Sequence, residues 1–258
     1  MARIVAIGGG EIGRPGFAVE TLELDAEVVR LAAKRRPRVA FLPTATVDDP
    51  GYVAVVEEHY GRRLGCDVAP LLLWDRALSS TDVEGAIRSA DIVYVGGGNT
   101  LRMMKLWRRR GVDRLLVHAA SEGTVLAGVS AGAICWCSLG VSDSLSFTST
   151  DGSWRYIAVR GLGLLDIVLS PHFDSDPGRP QGAASVARRS RLTRLGLDDC
   201  TALQVIDDRW RILSSREGSM AHVVSQSGAV RELVPSAQLR PLRELLRPNS
   251  AAGVLARR

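Results

Sequence analysis

The pentapeptide Gly128-Val129-Ser130-Ala131-Gly132 directly follows the apolar run Thr124-Val125-Leu126-Ala127. A G-x-S-x-G pattern at the end of a strand calls for a sharp strand-to-helix turn. The serine hydroxyl is pushed out of the fold there, and the glycines leave room beside it. Such a turn belongs at the carboxyl edge of a helix-covered parallel sheet, which narrows the architectures open to the chain. The same pattern also serves as a plain βα turn, so its meaning depends on what else the chain brings to Ser130.

The order of elements agrees with that constraint. Strands are expected at Arg3–Ile7, Arg38–Leu42, Asp67–Leu73, Asp91–Val95 and Thr124–Ala127, with helices at Thr21–Arg35, Gly51–Leu64, Thr100–Arg110 and Val112–Ser121 between them. A short helix also follows Leu73, and Thr81-Asp82-Val83-Glu84 reads as its capping box. Strand and helix in alternation give an α/β fold with a doubly wound, mostly parallel sheet and its chemistry at the carboxyl ends of the strands. Beyond Ser138 the pieces shorten to Leu165–Leu169, Thr201–Ile206, Arg211–Leu213 and Ala221–Val224, expected to add antiparallel pairs at one edge. Residues 1–248 read as a single domain, with a short helix at Pro241–Leu246 and a mobile tail at Asn249–Arg258.

Three further segments suggest acyl-transfer chemistry. In Tyr94-Val95-Gly96-Gly97-Gly98-Asn99-Thr100 three glycines leave backbone N–H groups bare. An oxyanion needs two such donors, one after the nucleophile and one from a neighbouring loop, which selects Ala131 and Gly98. His172, in Ser170-Pro171-His172-Phe173, sits where an apolar run opens into a loop, a suitable place for a base that takes a proton from serine. The other three histidines, His59, His118 and His222, are less well placed. Asp143 lies between serine and histidine and gives the order Ser, Asp, His used by hydrolases with this turn. Asp166, Asp174 and Asp176 compete with it for orienting the imidazole.

Gly-Gly-Gly-Asn-Thr, Ser-Ala-Gly-Ala and Pro-His-Phe, in this order and at these separations, resemble peptidase E, the α-aspartyl dipeptidases, and the related cyanophycinases. The opening Ile4-Val5-Ala6-Ile7-Gly8-Gly9-Gly10 is similar to the peptidase E-like branch, and the resemblance runs over roughly residues 3 to 206. It implies a fold like that of class I glutamine amidotransferases with serine in place of their cysteine. It also implies Ser130 as nucleophile, His172 as base, and Gly98 and Ala131 as oxyanion donors. The third member is Asp in the dipeptidases and Glu in the cyanophycinases, and in peptidase E it lies a few residues further past the serine than Asp143 does. An aspartyl dipeptidase needs a cation for the substrate side chain. Arg179 is the first candidate, then Arg188, Arg189, Arg155 and Arg160, with the Asn99 amide as a further substrate contact. The expected activity is hydrolysis of short peptides, such as dipeptides with N-terminal Asp, through an acyl-enzyme on Ser130. The alternatives are a cyanophycinase-like hydrolase of β-aspartyl-arginine and a non-catalytic small-ligand-binding relative.

Gly8-Gly9-Gly10-Glu11-Ile12-Gly13 satisfies the G-x-G-x-x-G dinucleotide fingerprint, but Arg14-Pro15-Gly16 interrupts the helix that should open there. The second strand ends in Pro43-Thr44-Ala45 without an acid for a ribose hydroxyl. The loop is therefore expected at the rim of the site, with no cofactor and no metal. The net charge of +5 is carried almost wholly by arginine, since only Lys34 and Lys105 of the 33 basic residues are lysine. The arginine runs lack interleaved aromatics, so no nucleic-acid partner is expected. No apolar run reaches the ~18 residues of a membrane span and the four cysteines lack metal spacing. A cytoplasmic enzyme acting on short peptides, with no membrane partner and room for a homodimer, is the resulting expectation.

Overall fold

The computed structural model describes residues 2–146, 155–186, 190–225 and 227–246. Five parallel strands form the centre: β1 (Arg3–Ile7), β2 (Arg38–Leu42), β3 (Asp67–Pro70), β4 (Ile92–Val95) and β5 (Val125–Val129). Burial on both faces explains why β1, β4 and β5 read as continuous apolar runs rather than as alternation. Helices α1 (Leu22–Leu31), α2 (Pro50–Val56), α3 (Ser80–Ser89), α4 (Thr100–Arg110) and α5 (Val112–Ser121) are the connections between them. The short α6 (Ala131–Ile134) follows β5 directly. α2 begins at Pro50, with the Asp49 carboxylate accepting the Tyr52 N–H, and runs into a π-helical segment, Glu57–Arg63. The capping box of α3 is Ser79 with Asp82, two residues earlier than the Thr81-based reading.

The strands after Ser138 divide between two sheets. β10 (Thr201–Ile206), β11 (Arg209–Ser214) and β14 (Arg240–Pro241) extend the central sheet by antiparallel pairing, giving the order β14-β11-β10-β1-β5-β4-β2-β3. β6 (Cys137–Ser142), β7 (Ile157–Arg160), β8 (Leu165–Ser170), β9 (Thr193–Leu197), β12 (Ala221–Val224) and β13 (Val230–Leu233) form a second sheet, ordered β13-β12-β9-β8-β6-β7. α7 (Arg179–Val186) follows β8, and α8 (Leu242–Leu246) ends the described chain. One apolar cluster runs from Ile4 and Leu126 in the central sheet through Trp136 to Ile167 and Leu195 in the second sheet. The chain crosses between sheets at the turn Asp198–Cys200, so residues there stand beside the ends of both.

Candidate active site

Ser130 occupies the turn between β5 and α6 at φ 55°, ψ −109°. A non-glycine residue held in so sparsely populated a conformation carries strain of ~1–3 kcal/mol, which the surroundings must offset. Here its N–H donates to the Ile7 carbonyl (2.9 Å), and its carbonyl accepts from Ala133 and Ile134 (3.0 Å each). Its Oγ lies 2.9 Å from His172 Nε2. His172 follows β8, also at positive φ (54°), with its N–H on the Gly8 carbonyl (3.3 Å).

The acid on the other ring nitrogen is Asp199, whose Oδ1 lies 2.7 Å from His172 Nδ1. Burial alone would raise the Asp199 pKa. The hydrogen bond and charge of His172, a hydrogen bond from Ser175 and the nearby Arg216 outweigh it and hold the carboxyl below its ordinary value. Its backbone is fixed as well: the Asp199 N–H donates to Asp174 Oδ1 (2.8 Å), and the Cys200 N–H donates to the Gly9 carbonyl (3.0 Å). The glycines after β1 make room for this pair, because a Cβ on Gly9 would overlap the Asp199 carboxylate and stand 2.5 Å from His172 Nδ1. That is the work of the apparent dinucleotide fingerprint, and the first helix after it opens only at Leu22.

Asp143 is placed elsewhere. It follows β6, and its Oδ2 lies 3.4 Å from Arg179. Arg179 is 3 % exposed; it also contacts Asp176 Oδ2 (2.9 Å), donates to the Val141 carbonyl (2.9 Å) and stacks its guanidinium on Tyr156. The expected orienting acid and the expected substrate cation are thus paired with each other in a buried clamp between α7 and β6. Asp174 pairs with Arg216 and Asp176 with Arg179 and Tyr156, while Asp166 accepts from Ser138. Asn99 is likewise committed to scaffolding: it is 6 % exposed, caps α4 by accepting the Arg102 N–H and donates to the Ser144 carbonyl. Arg155 and Arg160 are exposed, and Arg188 and Arg189 lie outside the described residues.

Sequence reasoning missed Asp199 because the strand before it, Thr193–Leu197, contains Arg194 and Gly196 and does not read as one. Both are buried: Arg194 is 4 % exposed, and Gly196 packs against the Phe173 ring. The one available signal was Asp198-Asp199 immediately before the apolar run Thr201–Ile206, a polar turn leading into a strand.

Gly98 has φ +128°, and a Cβ there would fall 2.6 Å from the Ala45 carbonyl oxygen, so no larger residue fits. Among the described residues, neither the Gly98 nor the Ala131 N–H donates to a protein acceptor. Ser130, His172, Gly97 and Gly98 share a cavity of about 1010 Å³ with Gly9–Pro15, Tyr52, Asp49 and Glu58. Among the described residues the arginine lining it is Arg14, tied to Glu11 at 2.7 Å. The four cysteines are free and buried.

A strained serine in contact with an acid-supported imidazole, at the carboxyl end of an α/β sheet, is an arrangement suited to serine-based acyl transfer. The sequence model of peptidase family S51 matches residues 4–213. The chain belongs to peptidase family S51. It is 34 % identical over 228 residues to the uncharacterized peptidase YgaJ of Bacillus subtilis, covering 87 % of this chain and 92 % of the relative. It is 29 % identical to peptidase E of Streptomyces coelicolor over 80 % of this chain and 82 % of that one. The fold is similar to the crystal structure of a peptidase from an acI-B1 actinobacterium (TM-score 0.72, 17 % identity, 93 % of this chain and 97 % of that chain). Among the described residues no helix is long and apolar enough to cross a membrane.

Proposed function

We propose that the protein hydrolyses short peptides through an acyl-enzyme on Ser130, with His172 as general base and acid and Asp199 as the group that orients it. The contact chain Ser130 Oγ–His172 Nε2, 2.9 Å, and His172 Nδ1–Asp199 Oδ1, 2.7 Å, carries this reading. Ser130 Oγ attacks the scissile carbonyl carbon while its proton passes to His172 Nε2. The carbonyl oxygen becomes the oxyanion and takes hydrogen bonds from the Gly98 and Ala131 N–H groups. Collapse of the tetrahedral intermediate breaks the C–N bond, and His172 returns the proton to the departing amine. Water then repeats the sequence on the ester and frees Ser130. Asp199 keeps a proton on Nδ1, so that Nε2 is the basic nitrogen facing the serine.

The cavity suits a substrate of a few residues, being at the upper end of small-ligand sites. The resemblance to the α-aspartyl dipeptidases implies dipeptides with N-terminal aspartate, for which Arg14 is the cation lining the cavity. A specific observation favours β-aspartyl-arginine as a second reading, because Glu11, Asp49 and Glu58 line the same cavity and would suit a guanidinium. The four free, buried thiols fit a reducing cytoplasm. The test is a panel of Asp-X dipeptides, other dipeptides and β-Asp-Arg, beside a Ser130→Ala control, with released amino acids measured. Ser130-dependent release from Asp-X alone is expected; release from β-Asp-Arg selects the second reading. Turnover that survives Ser130→Ala would refute both.

A further inference from the structure

The three glycines after β4 each face a different neighbour. Gly96 packs against the Tyr52 ring, where a Cβ would fall 2.6 Å from Cε1. Gly97 faces Ser130, with its Cβ position 3.4 Å from the serine Cβ, and Gly98 lies against the Ala45 carbonyl. Glycine loses more backbone freedom on ordering than any other residue, so such a run must be held by something outside itself. Along residues 96–99 the holders are easily traced. The Gly96 N–H donates to the Leu42 carbonyl (3.2 Å), the Gly97 N–H to the Tyr52 hydroxyl oxygen (3.3 Å) and the Asn99 N–H to the Ala45 carbonyl (3.0 Å). Among the described residues the Gly98 N–H alone of these four has no protein acceptor.

Two of the three anchors are backbone carbonyls, set by β2 and the turn after it. The third is a side chain from 45 residues away in sequence. Tyr52 is well fixed for that task. It sits in the first turn of α2, where Asp49 caps its own N–H, and its ring stands edge-on to Phe41 with centroids 5.3 Å apart. Tyr52 also lines the cavity that holds Ser130. Burial pushes the phenol up to about 12, so it stays neutral at any working pH.

We propose that Tyr52 is the positioning residue of the oxyanion loop. By accepting the Gly97 N–H, its hydroxyl fixes the Gly96–Gly97 peptide; with the Asn99 N–H held on the Ala45 carbonyl, this brackets the Gly97–Gly98 peptide and limits the direction of the Gly98 N–H. This rests on the reading of Gly98 as an oxyanion donor. Without the hydroxyl the ring can still fill its place, but the loop loses the one anchor between two fixed ends. Transition-state stabilisation should suffer while ground-state binding does not, since the donor's work is done on the developing oxyanion.

The test is the labelling kinetics of an alkyl fluorophosphonate, whose adduct places a phosphoryl oxygen where the oxyanion would sit. Wild type, Tyr52→Phe and Ser130→Ala are compared, with amide hydrogen exchange followed at Gly97. For Tyr52→Phe the maximal labelling rate is expected to fall about tenfold, somewhat less than losing a direct donor costs. The half-saturating probe concentration stays within about twofold, the melting temperature holds, and the slow exchange of the Gly97 N–H is lost. A labelling rate equal to wild type, or an effect confined to half-saturation, overturns the role of Tyr52 while leaving Ser130 as nucleophile. Labelling that is absent in wild type, or that persists in Ser130→Ala, instead overturns the underlying reading and this role with it.

Discussion

His172 Nδ1 and Asp199 Oδ1 meet at 2.7 Å over the backbone of Gly9, three segments that the sequence keeps far apart. The strand β1 ends there, the histidine arrives from β8 in the second sheet, and the aspartate stands on the turn by which the chain returns to the central sheet. The proposed catalytic relay is thus assembled where the two sheets join.

Asp199→Asn and Asp143→Asn separate the acid in contact with His172 from the acid that precedes it in sequence. With Asp199→Asn the new amide cannot enforce the right imidazole tautomer, and kcat is expected to fall about 10³–10⁴-fold. Asp143→Asn should leave kcat within about twofold and cost about 1–2 kcal/mol of stability, because Arg179 keeps Asp176 and the Val141 carbonyl as partners. Steady-state kinetics and denaturant unfolding of both variants check this; the opposite pattern would return the role to Asp143.

Gly9→Ala is expected to slow turnover strongly with little change in substrate affinity. The added methyl needs the space of the Asp199 carboxylate, so the acid must move away from His172. A loss of at least about 10²-fold in kcat with KM nearly constant is the expected result, and wild-type kcat would show that Asp199 does not need this position.

Thiol reagents should spare the enzyme. All four cysteines are buried, and burial raises each thiol, pushing Cys66 and Cys200 up to about 11, so little thiolate forms near neutrality. Iodoacetamide at neutral pH is expected to leave activity unchanged over an hour, whereas rapid inactivation would point to a thiol at the site.

Acid should destabilise the fold partly through Asp199. Its folded pKa lies below the unfolded value, so ionisation stabilises the native state above the unfolded pKa of ~3.9, and that contribution is lost as pH falls through the lower folded value. Glu27 and Asp91 act in the same direction: burial would raise them, but their partners Arg30 and Lys34 hold them low. The melting temperature of wild type is expected to fall more steeply below about pH 5 than that of Asp199→Asn, as calorimetry from roughly pH 2 to pH 7 would show. Parallel curves would mean that the Asp199 carboxylate gains nothing from folding.

The meeting of Ser130 with His172 was legible because each stands at the end of an apolar run, and the fold that places strand ends together is itself written in those runs. The bare N–H groups of Gly98 and Ala131 were legible for the same reason. Asp199 was not, since its strand is held by tertiary packing: Gly196 is there to accept Phe173, and a buried arginine breaks the apolar pattern. Asp143 and Arg179 looked functional one at a time; their pairing appears only when α7 docks on β6. The second sheet was illegible for a related reason, because β6, β7, β9 and β13 mix polar residues or glycine with apolar ones.

The most direct test of the central claim is intact-mass and peptide-mapping analysis after reaction with an alkyl fluorophosphonate. A single adduct on Ser130, absent in Ser130→Ala and formed far more slowly in Asp199→Asn, is the expected result. An adduct on another residue, or equal labelling of wild type and Ser130→Ala, would contradict the assignment of Ser130 as nucleophile.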